Sequence, residues 1–313
     1  MINRWILYTL LLCSPLKLMA VVQCTIDNTP ILDFGLQDPF TGGTVNTNAQ
    51  IQWSCSRGFF ENTSFKMCIY LAADGTGSII PRNMSPAGGG GPSIPFNAFT
   101  SPTGPTVVQP STNALEVSVD MAGFFQFNDS GTVNIFGIAP GPLPANVRAE
   151  VHNALMTNSQ VTRIGNNQSC NTTTGSTLTT YTLEATMEIQ DQCQFTANDL
   201  DFGTQSTPLA QTDADTFIDV RCTNTTPFTV GLNEGNNFAA GTRRMSDGTN
   251  FVDYGLFQNA ARSTEWDNTS NRRSGTGLGT GSSIMMTVFG RIPADPTAVQ
   301  GTYSDTVTVD IVF

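Results

Sequence analysis

The chain has 313 residues, of which 12% are charged, and it contains 29 glycines and 17 prolines. Runs of Ala, Leu, Glu and Lys that would build long helices are missing from the sequence, so the composition favours short strands and turns. The formal net charge of −11 argues against nucleic acid as a partner, because an acidic chain gains nothing from a phosphate backbone.

The first twenty residues have the features of a secretory signal peptide. Arg4 supplies a positive start, Ile6–Leu12 is apolar, and Ala20 offers a small residue for cleavage. We therefore predict that residues 1–20 are removed on export. The alternatives are a membrane anchor, for which the apolar run is too short, and lipidation at Cys13, for which the preceding leucine is too large.

Export would remove one of the seven cysteines and leave an even number in the mature chain. An even count in an exported chain predicts disulfide bonds rather than metal ligands. The cysteine spacings match no zinc pattern and His152 is the only histidine, so we expect no metal or other cofactor. The cysteines of the mature chain are Cys24, Cys55, Cys68, Cys170, Cys193 and Cys222.

Five landmarks occur twice in the chain and in the same order, which indicates that one structural unit is repeated. In each copy a cysteine precedes an Asp-Phe-Gly step, and a second cysteine follows 31 residues after the first in one copy and 29 residues after it in the other. The paired landmarks are Asp33–Gly35 and Asp201–Gly203, Cys55 and Cys222, Arg82–Met84 and Arg243–Met245, Val133–Gly137 and Met286–Gly290, and Tyr181–Ile189 and Tyr303–Ile311.

The repeat divides the mature chain into two predicted domains, residues 21–189 and residues 190–313. Each contains many short strand-like runs separated by turn residues, which predicts an all-β fold with two β-sandwiches in tandem. The first copy is the longer one and carries two cysteines that the second copy lacks. The paired positions and these extra cysteines predict three disulfides, Cys24–Cys55, Cys193–Cys222 and Cys68–Cys170.

The last residues of the second copy alternate between apolar and polar side chains. Val307, Val309, Ile311 and Phe313 fall on one face at a period of two, which indicates a half-buried β-strand. No further strand-like run follows in the sequence, so the strand needs a neighbour to cover its free edge. We predict that these four residues border the position at which another chain adds a strand.

The second copy carries further motifs beyond the repeated landmarks, namely Leu232–Gly235, Arg244–Met245, Asp253–Phe257, Trp266, Val288–Ile292 and Gly301–Phe313. With them, residues 193–313 resemble the spore coat protein U domain, which is the pilin family of archaic (Csu-type) chaperone–usher pili. Residues 24–189 resemble it more weakly, because the Asp-Tyr-Gly-Leu-Phe block is missing there.

The resemblance implies two immunoglobulin-like β-sandwich domains, of which the C-terminal one lacks its last strand. In that family a periplasmic chaperone lends a strand, an outer-membrane usher assembles the fibre, and the next pilus subunit replaces the strand by donor-strand complementation. A signal peptide, a variant first copy and a standard second copy are similar to the two-domain tip adhesins of such pili. The implied location is the cell surface, at the distal end of a pilus.

The expected cleavage site agrees with a terminal place in the fibre. After cleavage near Ala20, only Val21–Gln23 would precede Cys24. Three residues are fewer than a strand needs. We therefore expect the chain to accept a strand but not to donate one.

Three stretches of the first domain mix apolar residues with Gly and Pro, which predicts loops rather than strands. Around Ile94, Phe96 and Leu143 we expect an exposed apolar patch that attaches to hydrophobic, abiotic surfaces and so promotes biofilm formation. For Phe124 and Phe125 a place in a core-facing strand is an equally good interpretation. The candidate surface-binding residues are Met84, Ile94, Pro95, Phe96, Phe99, Phe124, Phe125, Ile138 and Leu143.

Two other functions compete with the pilus interpretation. A spore-coat or extracellular matrix protein could use the same fold without a pilus. A bilobal aspartic protease is suggested by one Asp-x-Gly step in each copy, at Asp33 and Asp201. Such enzymes need Thr or Ser at the middle position, where both copies have Phe, so we expect no enzymatic activity.

Two local patterns lead to further expectations. The apolar spacing of Val147, Val151, Ala154 and Leu155 predicts a short amphipathic helix, with His152 on the surface. The glycine-rich run Gly275–Gly281 lacks the Lys-Ser/Thr ending of a phosphate loop, which favours a flexible loop.

Overall fold

The structure is a computed structural model and describes residues 22–59 and 63–313. The predicted signal peptide, residues 1–20, lies outside the described residues. All the regular secondary structure of the described residues is β-strand, as predicted from composition. Within this part of the chain there is no helix that is long and apolar enough to cross a membrane.

The first domain is built from ten strands. They are β1 (Gln23–Ile26), β2 (Ile31–Gln37), β3 (Val45–Ser56), β4 (Thr63–Ile69), β5 (Arg82–Pro86), β6 (Ile94–Phe99), β7 (Leu115–Met121), β8 (Asn128–Ala139), β9 (Val151–Ile164) and β10 (Ser176–Ile189).

These ten strands form one sheet that folds over on itself. The strand order is β1-β3-β8-β6-β5-β9-β10-β2, and β4 joins β9 to β7. The inward residues of its two faces form a single core, in which Ile51 and Trp53 from β3 pack with Leu183 and Met187 from β10. Apolar side chains alternate with exposed ones along β3 and β10, as the half-buried strands of a sandwich require.

The second domain has eight strands in two sheets. They are β11 (Cys193–Ala197), β12 (Thr212–Cys222), β13 (Pro227–Leu232), β14 (Arg243–Ser246), β15 (Phe251–Phe257), β16 (Arg273–Thr276), β17 (Ile284–Ile292) and β18 (Val309–Val312). One sheet has the order β11-β12-β17-β15-β14 and the other has the order β16-β13-β18. A separate core, which includes Val220, Val230 and Trp266, lies between them.

All three predicted disulfides are present. Two of them join the first strand of a domain to its neighbour, since the bonded cysteines face each other in the β1–β3 and β11–β12 ladders. Closing loops of 31 and 29 residues stabilises each domain by about 3.5 kcal/mol on the chain-entropy account. The three bonds are Cys24–Cys55, Cys68–Cys170 and Cys193–Cys222.

The Asp-Phe-Gly step forms the same turn in both domains. The carboxylate of Asp33 accepts a hydrogen bond from the amide of Gly35 at 2.8 Å, and Asp201 accepts one from Gly203 at 2.7 Å. Both glycines have a positive φ, near 70°, which a residue with a Cβ adopts at a cost. The hydrogen bond within its own turn therefore accounts for each aspartate.

The expected helix is wrong, whereas the glycine-rich run is a loop after its first two residues, which belong to β16. The apolar residues after Val147 alternate as a strand, so β9 begins at Val151, and the side chain of His152 is fully buried. The glycine-rich run is held by backbone hydrogen bonds, among them Gly277 N to Thr226 O at 2.8 Å and Gly279 N to Cys222 O at 3.0 Å.

The same glycine-rich run touches the first domain. Thr280 donates a hydrogen bond to the carbonyl of Ala145 at 3.2 Å, and the side-chain amide of Asn224 donates to Asn146 at 2.9 Å. A Cβ added at Gly279 would collide with the backbone of Ala145. The run therefore packs against the first domain, and a side chain larger than hydrogen would not fit at Gly279.

A fully buried arginine braces the core of the first domain. The guanidinium of Arg82 donates to the carbonyls of Leu71 at 3.0 Å, Ala72 at 2.9 Å and Val108 at 2.9 Å. Burial lowers the pKa of Arg82 to about 10, so the side chain remains charged at neutral pH. Arg82 thereby joins its own strand, β5, to the segment at Leu71–Ala72 and to the segment at Val108.

Arg243 occupies the matching place in the second domain. Its guanidinium donates to the carbonyls of Leu232, Asn233 and Trp266, each at 2.9 Å, and it pairs with Glu265 at 3.2 Å. The arginine that recurs in the sequence therefore forms the same buried clamp on backbone carbonyls in both domains. A lysine could not replace it, because only the planar guanidinium holds its N–H donors in a fixed geometry.

We predict that Arg82→Met and Arg243→Met each lower the free energy of unfolding of their own domain by about 3 kcal/mol or more, because buried carbonyls lose their donors. Denaturant unfolding followed by the fluorescence of Trp53 for the first domain and Trp266 for the second measures this. The exposed Arg221→Met is the control, expected to stay within about 0.5 kcal/mol. Equal effects of all three would contradict the clamp.

His152 predicts a pH dependence of the first domain. Burial lowers its pKa below the ordinary value of about 6.5, although its Nδ1 lies 3.1 Å from the carbonyl oxygen of Glu150. As pH falls below about 6.5, the unfolded chain binds a proton that the folded chain does not, so stability is lost on acidification. The free energy of unfolding should decrease between pH 7.5 and pH 5.5, and the variant His152→Gln should lose this pH dependence. An unchanged slope in the variant would rule out this assignment.

Candidate functional site

An open groove of about 330 Å³ runs between the two sheets of the second domain. One wall is the segment that follows β11, and the other is the segment that leads into β18. The floor belongs to the domain core. The apolar residues that line the groove are Ala197, Leu200, Phe202, Ile218, Leu232, Met245, Leu256, Val288, Val307 and Val309.

The first domain shows the same walls in a closed state. There β2 pairs in parallel with β10, with Glu184 opposite Ile31 and Ile189 opposite Gln37. The side chains of Leu32 and Phe34 are consequently buried in the core.

In the second domain the corresponding walls remain apart. Residues 199–205 form no strand, and β18 pairs with β13 while its other edge has no partner among the described residues. Leu200 and Phe202 are half-buried, and Phe195 is 41% exposed although it lies opposite the buried Val220 in the ladder. The second domain therefore has room for one more strand exactly where the first is closed by its own chain.

The four residues predicted to border this position divide into three groups. Val307 and Val309 line the groove, as expected. Ile311 lies in β18 opposite Val230 of β13 and packs against the core. Phe313 is 53% exposed and lies beside Pro227 at the other end of the strand, away from the groove. That another chain adds a strand here stays a prediction.

One wall of the groove carries a carboxylate that the sequence analysis missed. Asp305 accepts hydrogen bonds from the Tyr254 hydroxyl at 2.6 Å, the amide of Asn236 at 3.0 Å and the side chain of Asn237 at 3.1 Å. Burial, together with the bond to Asp305 and its charge, raises the pKa of Tyr254. Asp305 thereby fixes the segment before β18 to the neighbouring loop.

The first domain carries an exposed aromatic group, which we call the aromatic tip and which consists of Phe59, Phe124, Phe125 and Phe127. The rings of Phe124 and Phe125 meet edge to face at 4.8 Å, and Phe59 stacks on Phe127 at 5.4 Å. The exposed fractions of Phe59, Phe124 and Phe125 are 62%, 75% and 79%. Phe124 and Phe125 lie in the loop between β7 and β8, so their placement in a core-facing strand is wrong.

Arg57 holds the loop of the aromatic tip in shape. Its guanidinium lies 5.0 Å from the centre of the Phe127 ring and donates to the carbonyls of Gly123 and Gln126. The side chain of Gln126 in turn donates to the carbonyl of Asp120 at 2.7 Å. The loop is thus ordered before it meets any partner, which reduces the entropy lost on contact.

The strand register places the aromatic tip at the end of the first domain that points away from the second. β9 starts beside the interdomain contact at Val151 and ends at Ile164, which pairs with Lys66 of β4. β4 extends beyond that point to Thr63, which pairs with Met121 at the end of β7. The loops before Thr63 and after Met121 are therefore distal.

The expected exposed patch around Ile94, Phe96 and Leu143 is wrong. Ile94 and Phe96 belong to strand β6 and are fully buried, as is Met84 on β5, and Leu143 is also buried. The glycine run between them is the turn of a hairpin, and the flanking apolar residues face the core at a period of two. Pro95, Phe99 and Ile138 are half-buried outward positions.

No cluster of three or more His, Cys, Asp or Glu residues suited to a metal ion occurs in residues 22–59 and 63–313. Two features of the described residues that expose apolar side chains are the groove of the second domain and the aromatic tip of the first. Both are suited to binding through apolar contact rather than to chemistry.

The family description "Spore Coat Protein U domain" matches residues 11–157 and again residues 179–310. The chain belongs to the spore coat protein U domain family. This is a family of structural proteins rather than of enzymes. A relative in it, Protein U of Myxococcus xanthus, is 34% identical over 107 residues. That match covers 31% of this chain and 58% of Protein U, so the chain spans less than two thirds of this relative.

The solved structures that match this chain include pilus proteins. The chaperone–tip adhesion subunit complex CsuC–CsuE of Acinetobacter baumannii matches with a TM-score of 0.49 and 17% identity, covering 93% of this chain and all of that one. The CupB6 tip adhesin of Pseudomonas aeruginosa matches with a TM-score of 0.42 and 11% identity, over 94% and 95% of the two chains. At these levels the likeness carries no argument about function.

Proposed function

We propose that the chain is a subunit of a chaperone–usher pilus whose second domain is completed by a strand from another protein. The observation that carries the proposal is the contrast between the two copies. The first closes its sheet through β2 and β10, and the second leaves the same position open and lined with apolar side chains. During export a periplasmic chaperone would fill the groove and deliver the chain to an outer-membrane usher, and the next subunit would fill it in the fibre.

The arrangement of the first domain supports a place at the distal end of the fibre. Its first strand, β1, is paired with β3 and held there by the Cys24–Cys55 disulfide. A strand that is fixed in its own sheet is not free to complete a neighbour. The aromatic tip lies at the far end of that domain, so it would be the part of the pilus that meets a surface.

Adding a strand in cis tests the proposal on the full chain. A short Gly-Ser turn and nine residues of alternating Val and Thr, placed after Phe313, should fold back beside β18 and fill the groove. We expect this extended chain to be soluble and monomeric and its second domain to unfold several degrees higher, because the strand buries apolar walls. Solubility, light scattering and calorimetry measure the outcome.

The matched control carries the same nine residues in an order that destroys the alternation. It should behave like the chain without an extension, because its apolar residues no longer share one face. If the alternating extension gives no more solubility or thermal stability than this control, the groove is not a strand-acceptor site and the pilus proposal fails.

We further propose that the aromatic tip mediates attachment to hydrophobic surfaces. Burying about 200 Å² of apolar surface on one or two rings releases up to about 5 kcal/mol at 25 cal/mol per Å². Part of this is lost to immobilisation, and many pili on one cell would multiply the remainder. Because the contact is apolar, it would persist at salt concentrations that screen charges.

The double variant Phe124→Ser with Phe125→Ser should reduce attachment of piliated cells to polystyrene several-fold. It should leave the amount of pilus on the surface unchanged, because both side chains are exposed and lie in a loop. Cells are counted after washing at low and high salt, and pili are quantified with an antibody.

The control is Leu36→Ser, which removes a side chain that is 57% exposed on the side of the same domain. It should attach like the parent. Normal attachment of the double variant at normal pilus density would exclude the aromatic tip as the binding surface.

A further inference from the structure

At one position on the inward face of the closing strand, an apolar residue of the first domain is replaced by a charged residue in the second. Along the closing strand of the first domain, the inward residues that precede Ala185 are Tyr181 and Leu183, and all three are buried. The matching positions of the second domain are Tyr303, Asp305 and Val307, all of which line the groove. A carboxylate therefore stands where the closed domain has a core leucine.

Filling the groove changes the surroundings of this carboxylate. In the open groove Asp305 is half-buried and keeps contact with water. A strand lying over Val307 and Val309 would remove that water, and an anion that loses water is destabilised unless a positive charge or further donors replace it. The three existing bonds satisfy much of the hydrogen bonding of Asp305 but supply no positive charge.

The groove offers no compensating cation of its own. Its lining contains a second carboxylate, Asp199, and none of the lining residues is Lys, Arg or His. Arg243, whose charge acts on Tyr254, is already paired with Glu265 and bound to backbone carbonyls. The charge that balances Asp305 in a filled groove has to come with the incoming strand.

We infer that Asp305 is a specificity-determining residue, and that the strand accepted by the second domain carries a lysine or arginine at the inward position facing it. The other inward residues of that strand are apolar, to match Val307 and Val309. This inference rests on the proposed strand-acceptor role of the groove. It predicts that the otherwise apolar groove favours strands that carry the cation over apolar strands that lack it, and disfavours acidic strands most strongly.

The cis-extended full chain tests the inference. A strand that turns back after Phe313 runs antiparallel to β18 and meets Val309, Val307, Asp305 and Tyr303 in that order. Single lysines are placed in turn at the inward positions of the Val/Thr extension. We expect lysine at the third inward position to raise the unfolding midpoint of the second domain by about 3 °C or more over valine there. Glutamate at the same position should lower it.

Two variants separate the charge of Asp305 from its role as a tether. Asp305→Asn retains an acceptor but not the charge, and it should abolish the preference for lysine over valine and glutamate. Tyr254→Phe breaks the 2.6 Å tether but retains the charge, and it should leave that preference in place. If Asp305 only tethers the wall, both variants lower the midpoint and lysine never exceeds valine.

The outcomes distinguish this inference from the proposed function. If the plain Val/Thr extension stabilises the chain and lysine gives no advantage at any inward position, the groove accepts strands without selecting charge and the inference is overturned. If no alternating extension stabilises the chain over the scrambled one, the strand-acceptor proposal itself fails. An advantage of lysine that survives Asp305→Asn would assign the selection to another residue and would also overturn the inference.

Discussion

The parallel pairing of β2 with β10 closes the first domain, and residues 190–313, all of which the structure describes, form no such pairing in the second. An open sheet edge and an uncovered apolar wall are both unfavourable in water. The first domain resolves both within its own chain, so Leu32 and Phe34 enter the core. In the second domain Leu200 and Phe202 are only half-buried. The chain therefore contains one copy of the repeated domain with a closed sheet and one copy with an open sheet.

The closed and the open domain differ in the features that they expose. The closed domain can carry long insertions, because its core and its Cys68–Cys170 disulfide do not depend on a partner. One insertion contacts the second domain through Ala145 and Asn146, and the loop after β7 carries the exposed rings at the opposite end. The open domain is shorter, and it carries the groove, where Asp305 adds a charge to apolar walls.

Much of the fold followed from the sequence, because its strongest signals are local or repeated. Alternation at a period of two and paired cysteines specify the strands and the disulfides without knowledge of the tertiary structure. The sequence did not show which apolar residues are exposed, because Ile94 and Phe96 lie among glycines and prolines, and this pattern is typical of surface loops. Ile94 and Phe96 are buried because they lie on the inward face of a hairpin strand. Alternate residues of such a strand face the core, whatever residues form the turn of the hairpin. The adjacent pair Phe124 and Phe125 breaks the alternation, and that was the available signal for a loop.

The sequence indicated the groove only indirectly, through a last strand with a free edge. The carboxylate in the groove, Asp305, could have been found by aligning the two copies of the repeat. Leu183 and Asp305 occupy equivalent positions, and Tyr254, which binds Asp305, belongs to a block that the first copy lacks. Two coupled differences between otherwise matching copies point to a property of the open domain. Neither residue belongs to a known catalytic or metal-binding motif, so a search for such motifs does not find them.

Backbone hydrogen exchange on the full chain in dilute solution tests the central claim most directly, because the first domain serves as an internal standard. Residues 303–308 and 199–205 have few backbone partners, whereas the matching residues 181–187 and 31–37 pair with strands. The account predicts that amides of the first two segments exchange orders of magnitude faster than those of the last two. Equal protection of the four segments in the monomeric chain would mean that the second domain is already closed, and would contradict the account.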